Sequence, residues 1–217
     1  MKKTVIILVL TILIAITGCS SEANRTDDIS NQSENSEPNA SVAIHDLFEP
    51  KDATVYIEGL PVSVRYYPFG ALVDSDIEGI ASYVIFIWDG YHVEQQDNLL
   101  RVIWEGMPEI FMEIKQIPNT TVPEMERKVI ASFDLDRHYF FRSPASDDFP
   151  FVRLDFYEGT DGIFERDSTV IRTYIKDNAH GGVFVATVQL VFEAVGGHGV
   201  RFENSLKTIE IIKGGVQ

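Results

Sequence analysis

The chain has 217 residues, and its 33 acidic side chains outnumber its 18 basic ones, which gives a formal net charge of −15 at neutral pH. This excess of negative charge argues against nucleic acid as a partner, and against binding anionic lipid head groups through the protein surface, because both ligands need a basic face. Cys19 is the only cysteine, so the chain cannot form an internal disulfide or a site with several thiolate ligands.

The first nineteen residues have the parts of an export signal. Lys2 and Lys3 are positively charged, and an apolar run extends from Thr4 to Ile16, ahead of Cys19. The run is too short for a comfortable membrane span, which needs about 20 residues, and is typical of the apolar region of a signal peptide. A short N-terminal membrane helix is the alternative interpretation.

Ile16-Thr17-Gly18-Cys19 resembles the lipobox of bacterial lipoproteins. In that family the cysteine thiol receives a diacylglyceryl group, the leader is cut before the cysteine, and the new N-terminus is often acylated as well. The resemblance implies cleavage after Gly18, lipidation of Cys19, and attachment to the extracytoplasmic face of a cell membrane. Ser20 is not an aspartate that would retain a lipoprotein in an inner membrane, so a host with two membranes would place the protein in its outer membrane.

Residues 20–45 have the composition of a flexible tether. Serine, asparagine, glutamate and aspartate dominate this segment, and it contains no aromatic residue. Such a segment cannot bury enough apolar surface to offset the entropy lost on ordering. The sequence therefore predicts three parts: a signal peptide over 1–18, the lipidated cysteine with a disordered acidic and polar tether over 19–45, and a globular domain over 46–217.

The globular part begins with short strand patterns. Thr54 to Glu58 and Val62 to Tyr66 alternate between apolar and polar residues around the turn residues Gly59-Leu60-Pro61, which predicts a hairpin. Ile80 to Trp88 is a continuous apolar run with many β-branched and aromatic residues. This run predicts a strand that is covered on both faces and lies at the centre of the domain.

Two strands and a helix are predicted next. Leu99 to Glu105 is one strand, and Glu109 to Ile117 is another, whose alternation is typical of an antiparallel sheet with one covered face. Thr121-Val-Pro-Glu124 has the spacing of a capping box, which begins a helix. Apolar residues recur behind it at helical period and predict a core-facing stripe of Val122, Met125, Val129 and Phe133.

The C-terminal half continues with strands and ends in a helix. His138 to Arg142 and Phe151 to Tyr157 are predicted strands, and Asn178-Ala-His-Gly-Gly182 joins two longer ones into a hairpin, Thr169 to Asp177 and Val183 to Phe192. A last helix is predicted from about Val195, with Phe202, Leu206 and Ile209 turned inward.

These elements predict an α+β domain with a mainly antiparallel sheet of about seven strands and two helices packed on it, because the strands are mostly neighbours in sequence. The hairpin Thr173 to Leu190, the segment Phe202 to Ile209, and the helix entry Pro118 to Glu124 resemble PsbP-like domains. That fold is shared by a photosystem extrinsic subunit, a nuclear-transport Ran-binding protein and many bacterial lipoproteins. The resemblance covers about Thr54 to Lys213. It implies a fold and a non-enzymatic tendency, and it transfers no functional residues.

Two acidic loops are candidates for a metal site. Asp74-Ser-Asp76-Ile-Glu78-Gly79 mimics the opening of an EF-hand loop, but its twelfth position, which must supply a bidentate carboxylate, is Ile85. A solvated acidic turn is the favoured interpretation. The loop over 158–167 is also acidic, through Glu158, Asp161, Glu165 and Asp167. These carboxylates and a histidine would make a metal-assisted hydrolase, which is the alternative function.

Histidines and aromatic residues offer further candidates. The five histidines lack the spacing of a zinc-hydrolase helix, and a surface turn position is the favoured interpretation for each: His45, His92, His138, His180 and His198. His180 and His198 would approach each other if the closing hairpin folded toward the last helix. Trp88, Trp104 and the run His138 to Arg142 either line a ligand groove or simply belong to the core.

The sequence therefore predicts a membrane-anchored extracytoplasmic lipoprotein whose domain is a non-catalytic binding or assembly module. The expected partners are the lipid bilayer, through acyl chains on Cys19, and another envelope protein, preferably a basic or neutral one. No catalytic, cofactor-binding or metal-binding residue is assigned, and no nucleic acid is expected. A purely structural envelope protein is a further alternative.

Overall fold

The computed structural model describes residues 47–57, 59–72, 78–96, 98–159 and 165–212. The signal peptide, the cleavage site after Gly18, the lipidated Cys19 and the tether lie outside the described residues. So do His45, Asp74, Asp76 and Asp161. Among the described residues, no helix is long and apolar enough to cross a membrane.

The described part contains eleven strands and two α-helices. The strands are β1 (Lys51–Ile57), β2 (Leu60–Ala71), β3 (Tyr83–Trp88), β4 (Tyr91–Gln96), β5 (Leu99–Trp104), β6 (Phe111–Pro118), β7 (His138–Ser143), β8 (Val152–Glu158), β9 (Thr169–Asp177), β10 (Gly182–Val191) and β11 (Glu210–Ile211). The helices are α1 (Val122–Ala131) and α2 (Val200–Leu206). A 3₁₀ turn (Phe192–Ala194) and a π-helix (Val195–Gly199) connect β10 to α2.

The strands form two antiparallel sheets. The larger sheet has seven strands in the order β4-β5-β6-β10-β9-β8-β7, and the smaller has four in the order β1-β2-β3-β11. The α+β class and the mainly antiparallel seven-stranded sheet are confirmed. The sequence did not predict a second sheet, because the order of hairpins along a chain does not say which of them share hydrogen bonds.

The main core lies between the two sheets. Phe184, Ala186, Val188 and Leu190 of β10 are buried against the inner face of β3. The prediction that β3 is covered on both faces is confirmed, since all six of its residues are buried. Its predicted position at the centre of the domain is wrong, because β3 is an inner strand of the smaller sheet and β10 is the middle strand of the larger one.

Helix α1 covers part of the other face of the larger sheet. Met125 is buried there, and Val122, Val129 and Phe133 pack beside it against residues of β8, β9 and β10. The predicted stripe is therefore confirmed. The backbone N–H of Thr121 donates a hydrogen bond to the Glu124 carboxylate at 2.9 Å, which is the backward contact of the predicted capping box.

The hairpin of β1 and β2 is confirmed, but its turn is shorter than predicted. Ile57 pairs with Leu60 and Tyr56 pairs with Pro61, so Leu60 and Pro61 belong to β2. Gly59 has a positive φ of 81°, a conformation that glycine adopts without steric cost. The sequence missed β4, where Tyr91 and Val93 are only half-buried and the other four residues are exposed.

Two buried amides attach the segment before β3 to the larger sheet. The Asn178 side chain donates to the Gly79 carbonyl at 2.8 Å and to the Gln116 side-chain oxygen at 2.9 Å. Gln116 in turn donates to the Ala81 carbonyl at 2.7 Å and accepts from the Ala81 N–H at 2.9 Å. We call Asn178 and Gln116 the amide cluster.

Candidate binding surface

Four charged side chains and a tyrosine meet where the C-terminal helix lies on the larger sheet. Asp155 lies 3.2 Å from Arg153 and 3.4 Å from Arg172. Glu203 of α2 lies 3.0 Å from Arg153 and 3.4 Å from Arg172, and it accepts a hydrogen bond from the Tyr174 hydroxyl at 2.9 Å. We call these five residues the ion cluster.

The strand register explains the ion cluster. Asp155 of β8 pairs directly with Arg172 of β9, and directly paired residues share a face of the sheet. Arg153 pairs with Tyr174 in the same way, so four members of the cluster point toward α2. A Cβ atom at Gly199 would lie 2.9 Å from the Arg172 guanidinium, so a larger residue there would push that guanidinium from its place in the ion cluster.

Burial sets the electrostatics of the ion cluster. It raises the pKa of the Asp155 carboxyl, against the lowering effect of Arg172 and Arg153. It also raises the pKa of Tyr174 well above its usual value, and the neighbouring Glu203 adds to this. Burial opposes the charge on Arg172, but Tyr174, Tyr157 and Asp155 raise its pKa overall, so this arginine stays positively charged. The two positive and two negative side chains balance one another and hold α2 on the sheet.

Three aromatic side chains form a patch beside the ion cluster. Phe141 of β7 is 53% exposed and Phe192 of the 3₁₀ turn is 37% exposed. Tyr157 of β8 lies between them, with ring-centroid distances of 5.7 Å to Phe141 and 6.2 Å to Phe192, both edge to face. The Arg172 guanidinium donates a hydrogen bond to the Tyr157 hydroxyl. We call Phe141, Tyr157 and Phe192 the aromatic patch, and its tyrosine contacts the ion cluster.

The aromatic patch lies at one edge of the larger sheet, because β7 is the end strand. The described segment 166–168 adjoins it: the Phe192 N–H donates to the Ser168 carbonyl at 2.9 Å and the Glu193 N–H to the Arg166 carbonyl at 3.2 Å. Exposed carboxylates lie on the segments that adjoin this end of the patch, together with two exposed arginines: Arg166, 3.6 Å from Glu193, and Arg137, whose carbonyl accepts from the Gly159 N–H. The described carboxylates are Glu158, Glu165, Asp167 and Glu193, which we call the acidic rim.

The predicted hydrolase carboxylates that the structure describes lie on segments next to a surface patch. Glu158 and Glu165 are exposed, while Asp161 lies outside the described residues. Within the part of the chain that the structure describes, no three histidine, cysteine, aspartate or glutamate side chains are placed to hold a metal ion.

His198 is the histidine whose environment differs most from the prediction. The expected surface position is wrong, since its side chain is only 9% exposed. Its Nδ1 lies 2.7 Å from the Tyr91 hydroxyl, and its ring lies 4.1 Å from the Trp104 ring. Burial and the nearby Arg201 lower its pKa to about 4. The glycines around it made the segment look like a turn, but they form the π-helix and leave His198 to fill the space beneath.

The structure does not bring His180 and His198 together. They lie beyond opposite ends of β10, whose ten residues span roughly 30 Å. His180 is exposed in the hairpin turn, and His92 is exposed in β4, 3.5 Å from Glu94. His138 is half-buried, and its Nδ1 donates to the Asp134 carbonyl at 2.8 Å.

The tryptophans belong mainly to the interior. Trp88 is buried and stacks on Tyr66 with a centroid distance of 6.0 Å, and Trp104 packs on His198. A shallow depression beside α1 contains none of the predicted site residues; it is lined by Asn119, Thr120, Glu124, Arg127, Lys128 and Ala131. Of the predicted aromatic groove residues, Phe141 contributes to the exposed patch.

No protein-family model matches the chain, and no curated protein matches it. One signal for the ion cluster is present in the sequence: Arg172 and Asp155 are charged residues within two predicted strands, and the structure places both at inward-facing positions. The patch has no such signal, because Phe141, Tyr157 and Phe192 belong to three separate elements that meet only in the folded protein.

Proposed function

We propose that the chain is a membrane-anchored extracytoplasmic lipoprotein whose α+β domain is a non-catalytic module that binds another envelope protein at the aromatic patch. The observation that carries this proposal is the exposure of Phe141 and Phe192 around a fixed Tyr157. Contiguous exposed aromatic side chains mark binding surfaces, and large aromatic residues dominate the energetics of interfaces.

The surroundings of the patch favour one kind of partner, a protein that presents a basic, extended segment. The acidic rim attracts positive charge and speeds encounter with a basic partner. The edge strand β7 is next to the patch, and an exposed sheet edge can accept an added strand from a partner. An extended basic segment would meet both features at once.

The ionisable groups near the patch support a binding role over proton transfer. Asp155, Arg172 and Glu203 are engaged with one another and balance in charge. His198 is enclosed by Tyr91 and Trp104. Each of these groups already has a structural partner, which suits a rigid surface better than a reacting centre.

The membrane anchor is tested at Cys19. Replacing it with serine should abolish incorporation of labelled palmitate and leave a precursor that keeps residues 1–18, which mass spectrometry of the purified protein measures. Mature protein that carries a free Cys19 thiol would contradict the anchor and leave the binding surface unaffected.

The patch is tested by site-specific crosslinking in native membranes. A photoreactive benzoyl-phenylalanine at Phe141 should crosslink one partner protein, and the same group at Leu135, which is 49% exposed outside the patch, should not. The crosslink should weaken as salt rises to physiological strength, because exposed charges are screened beyond roughly 8–10 Å there. The purified partner should then bind the Phe141→Ser variant about tenfold or more weakly than the Leu135→Ser variant. Equal crosslinking at both positions would contradict the proposal.

The hydrolase alternative has its own test. The purified protein should not hydrolyse ester, peptide or phosphoester substrates with Ca²⁺ or Zn²⁺ present. Turnover that disappears when Glu158, Asp161 or Glu165 is neutralised would contradict the binding module and favour the enzyme.

A further inference from the structure

His198 is the main side-chain anchor of the π-helix that joins β10 to α2. Three of the five residues of this helix, Val195–Gly199, are glycines, which have no side chain to pack. His198 and Gly199 are its buried residues, so the imidazole is its one buried side chain, and Val195 adds a half-buried contact with the main core. A π-helix is itself a rare conformation that occurs mostly at functional sites. The closed form of this segment therefore depends largely on one titratable group.

The contacts of His198 favour a neutral imidazole. Its Nδ1 lies 2.7 Å from the Tyr91 hydroxyl, and its ring lies 4.1 Å from the Trp104 ring. The Arg201 guanidinium donates a hydrogen bond to the same hydroxyl. Because an arginine can only donate, the Tyr91 oxygen accepts from Arg201, and its own proton is left for the imidazole Nδ1. A proton on Nδ1 would take away the acceptor of this buried hydroxyl.

The charges around the π-helix do not compensate a protonated His198. Strand β10 contains no charged residue, and the contacts from β4 and β5 are a phenol and an indole. The carboxylates of the neighbouring elements already have partners: Glu193 of the 3₁₀ turn lies 3.6 Å from Arg166, and Glu203 of α2 is paired within the ion cluster, whose Arg172 of β9 faces Gly199. Burial, and then the positive charge of Arg201, lower the pKa of His198 from 6.5 to about 4, and no carboxylate of the described residues raises it.

The two ends of the π-helix are held by contacts that do not involve His198. On one side, backbone N–H groups of the 3₁₀ turn donate to carbonyls of the segment 166–168. On the other side, Glu203 attaches α2 to the larger sheet through the ion cluster. Segments with few buried contacts open locally at a lower free energy than the whole fold. Val195–Gly199 can therefore open between two fixed points while the sheets stay folded.

We propose that the π-helix is an acid-sensitive switch: when His198 takes up a proton, Val195–Gly199 opens and uncovers Tyr91 and Trp104, while both sheets stay folded. Opening hydrates the imidazolium and moves it away from Arg201. It also exposes aromatic side chains at the β4 end of the larger sheet, opposite the β7 edge. Tyrosine and tryptophan dominate the energetics of protein interfaces, so acid would give the domain a second surface for a partner. This inference does not rest on the proposed binding at the aromatic patch.

Amide hydrogen exchange of the purified full-length protein measures the opening. Exchange of residues 193–200 is followed by mass spectrometry at pH 7 and pH 5, and each rate is corrected for the direct effect of pH on amide exchange. The open segment has the ordinary histidine pKa of about 6.5, so it binds a proton that the closed segment excludes. The equilibrium constant for opening should therefore rise about twentyfold from pH 7 to pH 5. The amides of the β9–β10 hairpin should stay protected at both pH values.

Two histidine variants and a second measurement identify the group responsible. His198→Gln cannot titrate, so the exchange of 193–200 should be the same at both pH values. His180→Gln is the matched control, because His180 is exposed in the hairpin turn, and it should keep the twentyfold rise. Acrylamide should quench tryptophan fluorescence more strongly at pH 5 than at pH 7, since Trp104 loses its cover while Trp88 stays buried. His198→Gln should abolish this difference.

Three outcomes would overturn the switch. The first is an opening constant of 193–200 that does not change between pH 7 and pH 5 in the unaltered protein. The second is a rise of the same size in His198→Gln, which would assign the effect to another group. The third is an equal loss of protection in the β9–β10 hairpin, which would show that acid unfolds the whole domain and that the π-helix does not open by itself.

Discussion

The two ends of the β9–β10 hairpin attach neighbouring segments by different chemistry. At the turn end, the amide cluster holds the segment before β3 through hydrogen bonds between uncharged groups. At the open end, the ion cluster and His198 hold the π-helix and α2 through ionisable groups. The turn end should therefore be insensitive to pH, whereas the open end should respond to it.

The two clusters also differ in how completely their contacts offset the cost of removing polar groups from water. The side chain of Asn178 makes four hydrogen bonds, because its oxygen also accepts from the backbone N–H groups of His180 and Gly182 at 3.0 Å. The ion cluster instead relies on the attraction between buried charges, which must offset a large desolvation cost. Removing one charge leaves its partners buried with less compensation. The open end is thus the more fragile of the two.

The largest expected effect comes from Arg172→Met. This change leaves Asp155 with one arginine and removes a partner of Glu203, so it should lower the free energy of unfolding by about 3–5 kcal/mol. Denaturant unfolding followed by circular dichroism measures it. Arg153→Met is the matched control. It should lower the free energy of unfolding by less, because the Arg153 side chain is partly exposed and water can take the place of its guanidinium. Equal losses for the two variants would contradict the role of burial.

The second effect is a pH dependence from His198. Its pKa is lowered from 6.5 to about 4, so between these values the unfolded chain binds a proton that the folded protein does not. The free energy of unfolding should therefore fall as pH falls through this window, by up to about 3 kcal/mol. Stability above pH 6.5 is unaffected by this group.

A His198→Gln variant isolates the histidine from other groups. The raised pKa of the buried Asp155 has the opposite sign, since it favours proton uptake by the folded protein as pH falls. Glutamine cannot titrate, so the difference between the two stability curves should change only between pH 6.5 and 4. Parallel curves across that range would show that His198 is not buried as described.

The third effect tests the turn end. Asn178→Ala removes the side-chain hydrogen bonds to Gly79, Gln116, His180 and Gly182. It should lower the free energy of unfolding by about 1–3 kcal/mol at every pH, because buried polar groups lose their partners. Asn98→Ala is the control: Asn98 also bonds Gln116, but it is exposed, so water can replace it and the loss should be smaller. If the loss of unfolding free energy in Asn178→Ala varied with pH, the turn end would not be insensitive to pH as proposed.

The sequence predicts the features of these regions that depend on neighbouring residues, and misses those that depend on residues far apart in the chain. The turn between β9 and β10 and the stripe of α1 depend on neighbours along the chain, and both are confirmed. The ion cluster was not predicted, because it joins Asp155, Arg172 and Glu203 through strand register and helix docking.

The prediction for His198 was wrong and strand β4 was missed for related reasons. The glycines around His198 indicate a turn locally, whereas Tyr91 of β4 and Trp104 of β5, which are distant in sequence, contact its ring in the folded protein. Strand β4 is an edge strand with a mostly polar face, so its pattern is too weak to stand out. Both cases need knowledge of what packs on the segment, which a single sequence does not supply.

The smallest effect sharpens the contrast between buried and exposed charges. Arg101 of β5 lies 3.3 Å from Glu113 of β6, and both side chains are partly exposed on the face of the larger sheet opposite the core. Exposed ion pairs contribute little to stability, because water and salt screen them. Arg101→Met should therefore lower the free energy of unfolding by less than about 1 kcal/mol. Part of even that loss would come from the Phe111 ring, 4.7 Å from the guanidinium, which Glu113→Gln leaves in place. Comparing Arg101→Met and Glu113→Gln at low and physiological salt separates the two contributions. If Arg101→Met cost as much as Arg172→Met, cross-strand charge pairing itself, and not burial, would explain the fragility of the open end.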